Sequence, residues 1–516
     1  MSFDISRRTV IGGLAAGGLA APAILHGQML FNVYPFRLGV ASGDPAPDGF
    51  VIWTRLAPDP LVDGGGVPMA PIELDWVVAS DPGFKTVVQK GKAVARPELA
   101  HSVHVEVTGL LPDRPYWYRF IVGRERSPAG RARTMPVAGA DLRSIRFAVA
   151  GCQHYEDGLF TAYRHLAQED VDFVYHYGDY IYERRSSPMP VGYDGLARPY
   201  VRSHIGDELY SIDDYRRRYA QYKQDTDLQA AHAAAPWWPT YDDHEVENNW
   251  VGLIDENGTP PEVFAYRRAA AFQAWYEHSP VRSGLMPKAG AISMYRRARY
   301  GTLLDAHFLD TRQYRTDQPC GDGFEPDCPG TSDPKAQVLG TVQEAWLDKA
   351  LHEKRARWNC LAQQVMMMRL DRRTGDEPAP IRNIDSWAGY LTPRERTLEM
   401  CRGYDNVVVL TGDEHQNYAG ELTTAKGAPV AVEFVSTSIS SGGDGQDKRR
   451  DDDKIRAENP QLKFTNDQRG YLLCSVTPER WESKFRVLDK VSSAGGTIST
   501  RATAVVEHGV ARLSLG

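Results

Sequence analysis

The sequence predicts an α/β protein in two parts: a small β-sandwich at residues 34–138 and a larger α/β domain at residues 142–516. Three observations support this prediction. The chain has 516 residues, which is more than one hydrophobic core usually serves. Short strands that alternate apolar and polar side chains fill the first part, and apolar strands separated by helices fill the second.

The first part has the pattern of a β-sandwich. Residues 36–134 form short alternating runs that end in turn signals, as at residues 101–107. Residues 110–120 place a Pro-containing turn before an aromatic strand, which is similar to fibronectin-type domains. Gly and Pro residues then mark the exit, so we expect the linker near residues 136–142.

The second part alternates buried strands with helices. Residues 145–150, 173–177 and 405–411 are short apolar runs typical of buried strands. Residues 261–278 and 343–351 carry apolar side chains at helical spacing. This order predicts an α/β or α+β domain.

The first 28 residues form a predicted export signal. Arg7 and Arg8 precede an apolar run from Ile11 to Leu25, which is too short and too Gly-rich for a confident membrane span. The paired arginines match the twin-arginine pattern. We therefore expect the twin-arginine export machinery as a partner and a periplasmic or secreted location. An uncleaved anchor is the alternative, because residues 21–28 contain no sharp cleavage site.

Charge and cysteine usage limit the partners and the chemistry. The formal net charge of −7 indicates no nucleic-acid partner, so any affinity for phosphate must be local. Six cysteines are too few for a disulfide scaffold. Cys320 and Cys328 bracket a loop, and in an oxidising compartment a disulfide is favoured there over a metal site. The remaining cysteines in apolar settings are predicted to be buried thiols: Cys360, Cys401 and Cys474.

Two polar positions directly follow predicted strands. Gly178-Asp179 follows one apolar run, where the glycine permits a tight turn that aims the carboxylate into a crevice. A solvated Asp in an ordinary turn is the alternative. Cys152 follows the strand at residues 145–150 and is either a soft metal ligand or a buried inert thiol.

A dense acidic block follows the aromatic run Trp237-Trp238-Pro239. Residues 241–249 place Asp242, Asp243 and His244 beside two glutamates. Carboxylates this close repel one another unless cations neutralise them. An exposed acidic loop would be the ordinary alternative, but the tryptophans before the block indicate burial. Metal binding is therefore the favoured interpretation.

A third block, Gly412-Asp413-Glu414-His415, follows the clearest strand. On an extended segment, Asp413 and His415 project to one side and Glu414 to the other. Carboxylate and imidazole together suit a transition metal. A hydrogen-bonded core histidine is the alternative.

Together these motifs resemble the PhoD-type alkaline phosphatases, a branch of the calcineurin-like metallophosphoesterases. The resemblance covers nearly the whole chain and includes the twin-arginine signal, the N-terminal β-domain, Gly-Cys-Gln, Gly-Asp-Tyr-Ile-Tyr-Glu, Asp-Asp-His-Glu-Val-Glu-Asn-Asn and Gly-Asp-Glu-His. It implies a two-sheet core with helices on both sides. It also implies one Fe³⁺ and two Ca²⁺ ions at the strand ends.

The resemblance also implies which residues hold the ions. Cys152, Tyr182, Asp179 and Asp413 correspond to the family's iron ligands. Asp179 as a bridge, Asp243, and the region of Asp242 and His415 correspond to the calcium ligands. His244 corresponds to a histidine that stabilises charge on the phosphate or acts as a general acid.

These features predict an exported phosphoric ester hydrolase acting on phosphate monoesters or diesters through a metal-activated water or oxide. Asp179, His244 and Arg312 are the candidate catalytic residues. Arg312 and Arg315 either bind phosphate or pin a loop to carboxylates. A phospholipase D-like phosphodiesterase is one alternative, and a non-catalytic calcium-dependent binding module is another. We expect a monomer.

Overall fold

The structure is a computed structural model that describes residues 31–187, 199–353, 355–375, 377–404 and 406–516. The export signal predicted at residues 1–28 lies outside these ranges. None of the helices within them has the length and apolar character needed to cross a membrane.

The N-terminal part is a β-sandwich. Its strands are β1 Val40–Ala46, β2 Gly49–Arg55, β3 Ile72–Ala79, β4 Val87–Ala95, β5 Ser102–Val107, β6 Pro115–Val122, β7 Glu125–Arg126 and β8 Gly130–Arg133. One sheet has the order β4-β3-β6-β7, with β8 also paired to β6, and it faces β1, β2 and β5. Phe50, Ile72 and Tyr118 are among the buried side chains between the two layers. The predicted sandwich is confirmed.

The second part alternates strands and helices, as predicted. Its first elements are β9 Ile145–Ala150, α1 Thr161–Leu166, β10 Phe173–His176, α2 Ile212–Lys223, α3 Thr226–Ala234, β11 Pro236–Pro239, α4 Pro261–His278, β12 Arg296–Tyr300, β13 Leu304–Phe308 and β14 Phe324–Pro326. They are followed by α5 Gly340–His352, β15 Trp358–Ala362, β16 Ile381–Asn383, α6 Leu391–Cys401, β17 Val407–Thr411, β18 Asn417–Thr423, β19 Pro429–Val435, α7 Asp452–Glu458, β20 Leu462–Asn466, β21 Gly470–Val476, β22 Arg480–Leu488, β23 Ile498–Glu507 and β24 Leu513–Leu515.

Two large sheets form the core of this part. One has the order β24-β23-β22-β21-β9-β10-β11-β1-β2-β5, and the other has the order β12-β13-β15-β17-β19-β18-β20. Buried side chains from both sheets meet between them, including Phe147, Tyr175, Phe308 and Phe434. Helices α1 to α4 pack on the outer face of the first sheet, and α5 and α6 pack on the outer face of the second.

The two parts of the chain share one sheet. Strand β1 of the N-terminal sandwich pairs in parallel with β11, through Ser42 opposite Pro236 and Gly43 opposite Trp237. Half of the sandwich is therefore continuous with the first sheet of the core. Residues 134–144 connect the parts without regular structure. The domain boundaries at residues 138 and 142 stay predictions.

A buried lysine lies at the junction of the two parts. Lys223 ends helix α2 and is 1% exposed. Its Nζ lies 4.3 Å from the centroid of the Trp53 ring on β2 and 5.1 Å from that of Tyr180. Burial lowers the pKa of this amine to about 7.

The cysteines divide as predicted. Cys320 and Cys328 form a disulfide with Cα atoms 6.0 Å apart. The thiols of Cys360, Cys401 and Cys474 are free and buried. The disulfide closes the loop that carries β14, and β14 pairs with β16 in a small antiparallel sheet.

Candidate metal centre

The candidate site lies where parallel strands from both sheets end. Strands β9, β10 and β11 are parallel in the first sheet, as are β13, β15, β17 and β19 in the second. Cys152 follows β9, Asp179 follows β10 and Asp413 follows β17. The carboxyl ends of parallel strands meet at one edge, so this topology brings three separate sequence blocks together.

The backbone at these positions is left-handed. Cys152, Asp179, Asp413 and His415 have φ values of 49°, 56°, 68° and 53°. A left-handed conformation costs a residue with a side chain about 1–2 kcal/mol. Such strain persists only where the surroundings hold the residue in place, and it concentrates at functional sites.

One cluster of side chains combines sulfur, phenol, carboxylate and imidazole. Asp179 Oδ2 accepts hydrogen bonds from Cys152 Sγ at 3.3 Å and from the Tyr182 hydroxyl at 2.8 Å. The Tyr182 hydroxyl lies 3.3 Å from Nε2 of His415 and 2.7 Å from Oγ of Ser441. All of these side chains are buried, and ligand atoms of Cys152, Asp179 and His415 lie within 4.8 Å of one another. This donor set suits a transition metal.

A second cluster is rich in oxygen. Asp242, Asp243 and Asp413 bring ligand atoms within 4.8 Å of one another, and Asp179, Asp243 and His244 do the same. Carboxylate oxygens are the preferred ligands of Ca²⁺. Asp179 belongs to both clusters and therefore lies between them.

Asp413 and His415 each lie near more than one candidate ligand. The Asp413 carboxylate has a ligand atom within 4.8 Å of those of Asp242 and Asp243, and burial together with the charges of Asp179 and Asp413 raises the pKa of the Cys152 thiol. The His415 ring has a ligand atom within 4.8 Å of those of Cys152 and Asp179. The assignment of Asp413 and His415 to particular ions stays a prediction.

Glu414 points away from the centre, as predicted. Its carboxylate pairs with Arg372 and accepts a hydrogen bond from Asn383 Nδ2 at 3.1 Å. The charge of this glutamate is thus balanced outside the ligand set.

Protein groups, chiefly Arg312, compensate the carboxylates of the centre only in part. Asp179 Oδ1, Asp242 Oδ2 and Asp243 Oδ1 are buried and have no hydrogen-bond partner among the residues that the structure describes. Burial and neighbouring carboxylates raise the pKa of Asp179 and Asp413 well above the ordinary value, and burial raises the pKa of Asp242 to about 6. Cations would stabilise the ionised carboxylates and supply partners for the orphaned oxygens, so the residues present fit a metal centre.

Glu245 holds the ligand loops through their backbone. Its Oε1 accepts from Tyr180 N at 2.6 Å, and its Oε2 accepts from Asp179 N at 3.0 Å and from Asp242 N at 2.9 Å. Burial raises the pKa of this fully buried carboxyl group to about 8. One side chain thereby fixes two loops that carry candidate ligands. The sequence block suggested only that Glu245 is acidic and close to ligands, and did not distinguish this role.

Arg312 lies among the carboxylates. Its Nε donates to Asp242 Oδ1 at 2.5 Å, its Nη1 lies 2.7 Å from Asp385 Oδ2, and its Nη2 lies 3.6 Å from Asp243 Oδ1. The side chain is fully buried, and Arg315 also pairs with Asp385. These contacts favour the alternative in which both arginines hold loops. Within the described part of the chain, Arg312 Nη2 has no hydrogen-bond partner, and direct phosphate binding by this atom stays a prediction.

Two histidines flank Tyr182 at the mouth of the site. The ring centroids of His154 and His244 lie 4.5 and 4.1 Å from that of Tyr182, and their side chains are 15% and 14% exposed. Each histidine has a carboxylate at Nδ1: Glu183 Oε2 lies 2.7 Å from His244, and Asp157 Oδ2 lies 3.1 Å from His154. The Glu183 contact occupies Nδ1 of His244, and the His244 ring also belongs to the candidate group with Asp179 and Asp243. His154 was not among the residues predicted for the site.

Two family models match the chain. The PhoD-like phosphatase N-terminal domain matches residues 21–136, and the PhoD-like phosphatase model matches residues 147–485. The chain is 46% identical to alkaline phosphatase D of Bacillus subtilis strain 168 over 509 residues, which cover 96% of this chain and 86% of the relative. It is also similar to the solved structure of PhoD, with a TM-score of 0.90, 46% identity, and coverage of 94% of this chain and 93% of the other.

A more distant structure shares the fold. Purple acid phosphatase PPD1 from yellow lupin (Lupinus luteus) seeds has a TM-score of 0.55 at 11% identity, with coverage of 91% of this chain and 73% of the other. At that identity the similarity concerns the fold alone. With the PhoD structure, it confirms the predicted calcineurin-like core of two sheets between helices.

Proposed function

This chain belongs to the PhoD-like phosphatase family, and we propose that it is an exported, metal-dependent enzyme whose centre is the cluster around Asp179. That it hydrolyses phosphoric esters follows from the family and from the 46% identical alkaline phosphatase D. Membership of this enzyme family argues against the alternative hypothesis of a non-catalytic calcium-binding module. The observation that carries metal dependence is the set of buried oxygens on Asp179, Asp242 and Asp243 for which the described residues supply no hydrogen-bond partner.

The donor atoms of the two clusters suit different ions. We assign Fe³⁺ to Cys152, Asp179 and Tyr182, with His415 completing the group because its ring lies beside the thiol. We assign two Ca²⁺ ions to the carboxylate side, which consists of Asp179, Asp242, Asp243 and Asp413. Bound ions would supply the Lewis acidity that activates water and neutralises charge on the phosphate.

The protein's own groups would orient the ester. His244 Nδ1 lies 2.7 Å from Glu183 Oε2, so Nε2 would be the atom that stabilises a phosphate oxygen or gives a proton to the leaving oxygen. Arg312 pairs with the carboxylates of Asp242 and Asp385, and Glu245 fixes the loop backbones. The buried setting strengthens each of these interactions.

The test is metal analysis of purified protein together with hydrolysis of p-nitrophenyl phosphate and its bis-ester. Assays are run with and without added calcium and a chelator. Iron with calcium and chelator-sensitive cleavage is the expected result, and the preferred ester distinguishes a phosphatase from a phospholipase D-like phosphodiesterase. Full activity in rigorously metal-free protein would refute the proposed centre.

Export rests on the sequence of residues 1–28 and is supported by the Cys320–Cys328 disulfide, which suits an oxidising compartment. Replacing both arginines, Arg7→Lys and Arg8→Lys, is expected to retain the protein in the cytoplasm of an expressing cell. Activity measured in cell fractions checks this. Unchanged export would point to another route.

A further inference from the structure

We propose that the loop closed by the Cys320–Cys328 disulfide forms a binding subsite for the organic group of the ester, with Phe324 as its contact surface. This inference rests on the proposed function, because it requires the phosphate to lie at the Asp179 cluster. It adds a preference for esters with an aromatic or apolar substituent. Three observations support this inference: contacts of the loop with the acidic block, its contacts with the Asp413–His415 block, and the exposed ring of Phe324.

The loop is tied to the acidic block at one end. Asn249 Nδ2 donates to the backbone carbonyl of Asp322 at 3.0 Å, and Asn249 N donates to Asp243 Oδ2 at 2.8 Å. Gln318 Nε2 donates to the carbonyl of Asn249 at 2.8 Å. One residue thus joins the loop to a candidate calcium ligand, so the loop lies beside the carboxylate cluster.

The loop is tied to the Asp413–His415 block at its other end. Phe324 pairs with Asn383 in the β14–β16 sheet, and Asn383 Nδ2 donates to Glu414 Oε1 at 3.1 Å. The Arg372 guanidinium pairs with Glu414 and lies 5.4 Å from the centroid of the Phe324 ring. Glu414 lies between Asp413 and His415 in the sequence, although its side chain points away from them. The loop is therefore linked to both ligand blocks from outside, and in the proposed subsite it is one wall of the site.

Phe324 is 56% exposed on this wall. A single exposed apolar residue is ordinary on a protein surface, so exposure alone carries no meaning. Here the ring is held by a paired strand, a disulfide-closed loop and a neighbouring guanidinium. A rigid ring in that position can stack on an aromatic leaving group while the phosphate is bound at the metal centre, at no cost in ordering a flexible side chain.

The variants Phe324→Ala and Phe324→Trp test the subsite, with Met69→Ala as control. Met69 is an equally apolar side chain, 75% exposed on the N-terminal part. For p-nitrophenyl phosphate, Phe324→Ala is expected to raise KM about fivefold with kcat unchanged, as befits one lost aromatic contact. KM for glycerol phosphate, which has no ring, should stay within about twofold, and Phe324→Trp should restore the KM for the aromatic ester.

A binding measurement separates this inference from the proposed function. Phenylphosphonate and methylphosphonate are not hydrolysed, and calorimetry gives their affinities directly. Phe324→Ala should weaken the binding of phenylphosphonate and leave the binding of methylphosphonate unchanged. Equal losses for both phosphonates and both esters, or no loss for any, would overturn the subsite. Absence of hydrolysis and of phosphonate binding in the metal-loaded wild type would instead refute the proposed centre.

Discussion

Replacing Lys223 by methionine is expected to stabilise the protein at pH 7 and to remove part of its pH dependence. The amine is buried beside Trp53 and Tyr180, and burial lowers its pKa from 10.5 to about 7. The buried rings of His176 and His232 lie close enough for the Lys223 charge to lower their pKa values further. The fold therefore disfavours the charged amine at this position.

The free-energy cost of burying Lys223 follows from the difference between its pKa values in the folded and unfolded states. A folded pKa of about 7 against an unfolded 10.5 corresponds to about 5 kcal/mol. The cation–π contacts with Trp53 and Tyr180 offset about 1–2 kcal/mol of this cost. Below pH 7 both states hold the proton and the whole cost is present. Between pH 7 and 10.5 the unfolded state binds more protons than the folded state, so this group makes stability rise with pH.

The assay is equilibrium unfolding by denaturant at several pH values between 7 and 10, with wild type and Lys223→Met at matched metal content. The variant should be more stable by about 2–4 kcal/mol at pH 7, and its advantage should shrink towards zero as the pH approaches 10. Subtracting the free energy of unfolding of wild type from that of the variant at each pH cancels the contributions of the other titrating groups. A difference that does not change with pH, or a variant that is less stable at pH 7, would refute the reasoning.

Three further substitutions test the centre. Asp179→Asn removes the carboxylate shared by both clusters and should abolish turnover with an unchanged circular dichroism spectrum; near-normal activity would exclude the proposed site. Cys152→Ser should lower bound iron and any visible absorption from it, measured by metal analysis, whereas unchanged iron would make the thiol an inert core group. Glu245→Gln should weaken calcium binding about 10- to 100-fold by calorimetry, because an amide cannot accept all three backbone bonds. If that variant bound calcium with wild-type affinity, Glu245 would not be a positioning residue.

Much of the centre could be predicted from the sequence because parallel strands bring their carboxyl ends together. Asp179, Asp242 and Asp413 each follow such a strand, and the structure gathers them as expected. The left-handed backbone at Asp413 and His415 could not be predicted, since residue type alone does not specify it.

Other features depend on long-range packing and left no signal in the chain. Glu245 belongs to the same acidic block as the ligands, but its carboxylate faces backbone N–H groups. Lys223 belongs to a residue type that is almost always exposed unless paired, so its burial could not be anticipated. In the second part, three strands and two helices were predicted within about three residues of their observed bounds, because apolar runs and helical spacing are visible in the sequence. The other elements of that part were not predicted individually.

The pairing of β1 with β11 has a consequence for how the protein can be divided. A truncated chain lacking the N-terminal sandwich would present the open edge of β11, with unpaired N–H and C=O groups, to solvent. Such an edge is a template for adding a strand from another molecule. The sandwich thus covers the edge strand of the core sheet. Fragments that begin after residue 142 should therefore self-associate.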